Sequence, residues 1–118
     1  MLNGACHCGN VRIDLPAAPT GLTLCNCSIC RRNGALWAFY PREDVKLAGH
    51  PENTTGYVWG ARSIETFRCT GCGCVTHWEP LAPEATTLGV NIRNFDPHEV
   101  GEVRLRRFDG AESWSYVD

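Results

Sequence analysis

All eight cysteines of this chain lie in three short segments: Cys6-His7-Cys8, Cys25-Asn26-Cys27-Ser28-Ile29-Cys30 and Cys69-Thr70-Gly71-Cys72-Gly73-Cys74. No other feature restricts the fold as much, because thiols spaced this tightly must share a ligand or be paired covalently. Cys-x-Cys pairs do not easily bridge internally, since a disulfide needs converging Cβ vectors. Bridges between segments stay open on spacing alone, but disulfide frameworks belong to oxidising compartments. The first residues, Met1-Leu2-Asn3-Gly4-Ala5, hold neither a basic segment nor an apolar run, so no secretory signal is visible. The expectation is a cytoplasmic chain whose reduced thiols ligate metal.

With 118 residues the chain has the length of one domain, 1–118, in which a metal cross-link would supplement a modest core. A net charge of −2 gives no electrostatic reason to expect nucleic acid. Arg104, Arg106 and Arg107 form only a small basic group, and no apolar stretch approaches the ~20 residues of a membrane span, so no membrane partner is expected.

Strand signals dominate. Val11–Leu15 alternates with period two and is closed by Pro16 and Pro19. Further candidates are Leu22–Leu24, Trp37–Tyr40, Val45–Ala48, Thr55–Trp59, Ser63–Arg68, Val75–Trp78, Thr87–Ile92 and Val103–Phe108, separated by Gly and Pro turns. Helix is confined to a turn after Ser28, with Ser28 as its cap, and another around Pro97–Val100. Trp114-Ser115-Tyr116 reads either as a last strand or as an ordered tail. The fold class is mainly β, built of small antiparallel sheets.

Cys69-Thr70-Gly71-Cys72-Gly73 has the form of a zinc knuckle. Its turn aims backbone N–H groups at the thiolates, and a glycine after the second cysteine can take φ > 0. Gly9 plays the same part after Cys8. Cys6, Cys8, Cys69 and Cys72 therefore make a closed, structural zinc site, worth on the order of 10–16 kcal/mol in small peptides. Cys25, Cys27 and Cys30 bring three ligands and no obvious fourth. Three protein ligands leave a position for water or substrate, as in catalytic sites, and a thiolate-rich zinc suits a soft thiol ligand. The alternative is that Cys74 or His77 completes a second closed site.

The segments Gly4–Val11, Cys25–Arg32 and Phe67–Gly73 together resemble the glutathione-dependent formaldehyde-activating family, which includes centromere protein V-like proteins. Gly89–Asp96 and Arg107–Gly110 resemble its carboxy-terminal half. The resemblance implies a zinc-stabilised β-tent fold. It also implies a structural zinc on Cys6, Cys8, Cys69 and Cys72, and a labile zinc on Cys25, Cys27 and Cys30. The implied activity is that of a carbon–sulfur lyase joining glutathione to formaldehyde, or the reverse. Cys74 departs from the family's usual small or hydroxyl residue, and the chain is shorter than the formaldehyde-activating enzymes themselves. A non-catalytic binding or carrier module, with both zinc sites structural, is the competing reading.

Arg31 and Arg32 follow the open cluster and are candidate contacts for an anionic thiol such as glutathione, or else solvated helix residues. His7, between two ligands, reads as a surface group. Trp37, Phe39, Tyr57, Trp59 and Trp78 read first as core and sheet faces and second as pocket walls. Glu79 and Asp96 are candidate polar residues without a visible partner. No general base is identifiable, and the sequence carries no signal for an oligomeric state.

Overall fold

A computed structural model describes residues 1–118. Eleven strands and two short helices follow one another as β1 (Leu2–Ala5), β2 (Arg12–Leu15), β3 (Gly21–Cys25), α1 (Ser28–Asn33), β4 (Trp37–Pro41), β5 (Lys46–Ala48), β6 (Thr54–Tyr57), β7 (Ile64–Cys69), β8 (Val75–Pro80), β9 (Thr87–Asn91), α2 (Pro97–Val100), β10 (Arg104–Asp109) and β11 (Ser115–Tyr116). They form a three-stranded sheet, β1-β2-β5, and an eight-stranded sheet, β11-β10-β3-β4-β9-β8-β7-β6. The chain is thus mainly β, and its pairings are antiparallel except between β3 and β10. No helix is long and apolar enough to cross a membrane.

The core lies between the two sheets. In β2 the alternation predicted from sequence points Ile13 and Leu15 inward, where they meet Leu2, Leu22, Ala38, Tyr40, Val90, Ile92 and Phe95. Burying each large aliphatic side chain contributes about 1.5–3 kcal/mol. Tyr40 is accommodated there because its hydroxyl donates to the Ala17 carbonyl at 2.8 Å. A second, smaller core packs Val11 against Cys6 and Cys69.

The strands of the large sheet present different residues on their two faces. Along β4, Ala38 and Tyr40 join the core, while Trp37 and Phe39 line a cavity. Along β3, Leu22 joins the core and Thr23 and Cys25 line the cavity. The cavity therefore sits on the face of the large sheet away from the core.

One local expectation is corrected, and two segments that the sequence left open take a definite form. Cys27, not Ser28, is the N-cap of α1, and it makes no side-chain cap bond; Ser28 is the first helical residue. Leu2–Ala5, which has no apolar alternation, is a strand because β2 pairs with it. Trp114–Tyr116 yields a short strand, β11, paired to β10.

Candidate metal centres

The Sγ atoms of Cys6, Cys8, Cys69 and Cys72 lie within 4.8 Å of one another. The Cys6–Cys8 separation is 3.7 Å and the Cys8–Cys69 separation 3.5 Å. A tetrahedron of ~2.3 Å zinc–thiolate bonds has edges of ~3.8 Å, so this group can hold zinc. Backbone donors already face the sulfurs: Val11 N–H to Cys6 Sγ and Gly71 N–H to Cys69 Sγ, each at 3.3 Å. The Cys72 thiol is brought down to about 5, chiefly by the backbone N–H of Cys74 and against the opposing push of burial. Cys69 is likewise lowered, first by the Cys72 N–H. Gly9 and Gly73 sit at φ 83° and 78°, the conformation required of a glycine behind each ligand turn.

Cys25, Cys27 and Cys30 form a second group whose thiols also lie within 4.8 Å of one another, and no fourth cysteine, histidine or carboxylate joins them. Cys25 ends β3, Cys27 caps α1 and Cys30 lies in that helix. Burial pushes Cys25 and Cys30 up. Burial also opposes ionisation of Cys27, but the Cys30 N–H at the start of the helix leads the groups that bring this thiol down. The indole N–H of Trp37 donates to Cys30 Sγ at 3.3 Å. All three cysteines line the cavity, whose volume is about 430 Å³.

The carboxy-terminal hairpin forms one side of that cavity. Cys25 pairs with Phe108 across the parallel β3–β10 contact. Asp109 accepts from Asn26 Nδ2 at 3.0 Å, and Asn26 Oδ1 accepts from the Ala111 N–H at 3.0 Å. The turn comes so close that a Cβ on Gly110 would stand 2.7 Å from Cys25 Sγ.

A model of the glutathione-dependent formaldehyde-activating enzyme family matches residues 1–107. The chain belongs to that family. A crystal structure of a Rhodobacter sphaeroides protein is also similar: 33% of residues are identical over 88% of this chain and 99% of that one, with a TM-score of 0.72. The cysteine clusters that the family resemblance rests on are the two groups that converge here.

Both candidates for a further ligand stand elsewhere. Cys74 packs beside the first cluster, against Cys6, Val11 and Cys69. His77 points away from the cavity that its neighbour Trp78 lines. Fully buried, it bonds through Nε2 to Glu79 Oε2 at 2.8 Å and through Nδ1 to Thr76 Oγ1 at 2.9 Å. His50, which the sequence did not single out, reaches the same carboxylate oxygen at 2.7 Å, and Arg42 pairs with Oε1 at 3.3 Å. Glu79 is held at about 2, first by the His77 bond, while burial keeps His77 below its ordinary range. This is a satisfied polar network joining β6, β8 and the segment before β6. Arg32 donates back to the Ser28 carbonyl at 2.8 Å, and neither Arg31 nor Arg32 lines the cavity. Trp37, Phe39, Trp59 and Trp78 do line it, together with Phe108, Trp114 and Tyr116, which sequence reasoning missed.

Proposed function

We propose that this chain is a zinc-dependent carbon–sulfur lyase acting on the adduct of a thiol with formaldehyde or a related small aldehyde. In this reading Cys6, Cys8, Cys69 and Cys72 hold a structural zinc, and Cys25, Cys27 and Cys30 hold the reactive one. The observation that carries it is the convergence of three thiols, without a fourth ligand, on the wall of a cavity large enough for a small substrate. Family membership supports the same chemistry and names glutathione as the thiol.

Bound to three thiolates, zinc supplies a soft Lewis acid that favours the thiolate form of a fourth, sulfur ligand. The protein's own groups do the rest. The α1 amides and the Trp37 indole N–H stabilise the ligating sulfurs. The aromatic wall holds the aldehyde carbon beside the sulfur. In the forward direction a carbon–sulfur bond forms, and the thiol proton ends on the former carbonyl oxygen to give the hydroxymethyl thioether; the reverse returns thiol and aldehyde. The Thr23 and Tyr116 hydroxyls, paired at 2.9 Å and both on the cavity wall, offer exchangeable protons for that oxygen.

Exchange NMR with ¹³C-formaldehyde tests the reading, using glutathione and uncharged thiols in turn. Zinc-loaded protein accelerates adduct exchange for at least one thiol, and Cys27→Ser abolishes the acceleration while keeping its fold. Exchange at the uncatalysed rate with every thiol sinks the proposal and favours a binding module.

A further inference from the structure

The walls of the cavity carry information about the thiol itself. None of the residues lining it is charged. Seven aromatic groups, four of them tryptophans, dominate the surface. The polar atoms come from neutral groups, among them Thr23, Asn33, Ser63 and Thr66. Arg31 and Arg62, next in the chain to lining residues, have no ion-pair partner, but neither lines the cavity. Arg106 stacks 3.8 Å over the Tyr116 ring and its Nε lies 3.7 Å from Asp118, while Arg32 bonds its own helix.

Electrostatics sharpens the point. Three thiolates around a dication leave a net charge of −1, and a substrate thiolate adds another. A carboxylate entering beside that centre would lose water, meet no cation on the wall and be repelled by the sulfurs. Glutathione carries two carboxylates and one ammonium group, so this wall is a poor match for it.

The aromatic surface is also partly uncovered. Trp59 and Phe39 are 38% and 46% exposed, and Trp114 is 72% exposed. Trp114 holds φ at 54°, a left-handed conformation that costs a bulky residue free energy. Its indole stands edge-on to Phe108, 5.1 Å between ring centres, on the cavity wall. The φ of Trp114 is held by the turn, where its N–H donates to the Asp109 carbonyl at 2.7 Å, and the solvated indole at the edge of an apolar cavity is explained if an apolar ligand covers that ring.

We infer that the thiol half of the substrate is uncharged and apolar, an aryl- or alkyl-thiol or its aldehyde adduct, in place of a charged tripeptide. The inference rests on the thiol-adduct reading above and names the substrate class at the same site.

The test uses anaerobic, metal-loaded protein and three probes: benzyl mercaptan, glutathione and benzyl alcohol. Tryptophan fluorescence reports occupancy of the cavity. The absorption spectrum of cobalt-substituted protein reports whether sulfur reaches the metal. Benzyl mercaptan half-saturates at a concentration at least tenfold below that of glutathione, changes the cobalt spectrum, and binds more tightly than benzyl alcohol. Trp114→Ala, at an exposed position, weakens benzyl mercaptan about fivefold and leaves glutathione unchanged. Glutathione binding as tightly as benzyl mercaptan, with the cobalt spectrum responding to both, overturns the inference while the lyase reading stands. Benzyl mercaptan and benzyl alcohol binding equally, with an unaltered cobalt spectrum, overturns the inference together with the lyase reading beneath it.

Discussion

Cys6, Cys8, Cys69 and Cys72 join two turns that are distant in the chain, whereas Cys25, Cys27 and Cys30 come from one strand end and the helix after it. The first set packs on Val11 and ties the small sheet to the large one through β1 and β7. The second set ties nothing distant together by itself, and its sulfurs face a cavity. In the proposed reading the same ligand chemistry serves two ends. Where four thiols converge from separate segments, metal binding is folding energy. Where three converge from one segment and face open space, metal binding is available for chemistry.

The largest expected effect breaks the first cluster. Cys72→Ser removes one of four ligands and loses soluble, cooperative folding, since metal binding on the order of 10 kcal/mol exceeds the whole stability of many domains. A Cys72→Ser protein with a sharp thermal transition would erase the distinction between the clusters. Cys27→Ser is the counterpart: zinc by elemental analysis falls by one per chain, and the melting temperature moves by no more than a few degrees. If that variant unfolds, the second cluster is structural as well.

A finer test separates metal retention from folding. Gly110→Ala sets a methyl group against Cys25 Sγ, so the hairpin must shift. The expected result is faster loss of one zinc to a mild chelator, at nearly unchanged melting temperature. Retention equal to the wild type would show that the hairpin does not shape the second cluster.

The smallest effect lies outside both. His77 has its pKa lowered from its ordinary 6.5 by burial, so its contribution is fully present above that pH. As pH falls below 6.5 the unfolded chain takes up a proton that the folded chain refuses, and stability declines. Glu79, lowered from 4.5 to about 2, adds a second decline between those values. Thermal melts from pH 7.5 to 5.5, with zinc content checked at each step, should fall gently in the wild type and more gently in His77→Gln. A melting temperature independent of pH in this range would remove the network from the account.

Cysteine spacing made the two clusters legible because their ligands lie in short local segments; in the first, Gly9 and Gly73 adopt the φ that its two turns need. Strand alternation located β2, since one of its faces meets apolar groups, and the aromatic run before Pro41 located β4. What spacing could not show is which strands meet. The parallel contact of β3 with β10 brings Phe108, Trp114 and Tyr116 to Cys25, and nothing in either segment announces the other. His77 looked like a ligand because it follows Cys74 closely, yet its position on β8 sends it to the face opposite Trp78. Its partner His50 comes from a separate turn and was invisible for the same reason.

The parallel contact also sets an order of assembly. Residues 25–30 carry every thiol of the second cluster, while the wall against Cys25 waits for Phe108 and the hairpin that follows it. During synthesis the amino-terminal part emerges first. The thiols of the second cluster therefore reach solvent, and any available metal, before the hairpin exists to enclose them. Pairing between strands so far apart in the chain is slow. On that order the hydrophobic wall closes around three thiols that are already in place.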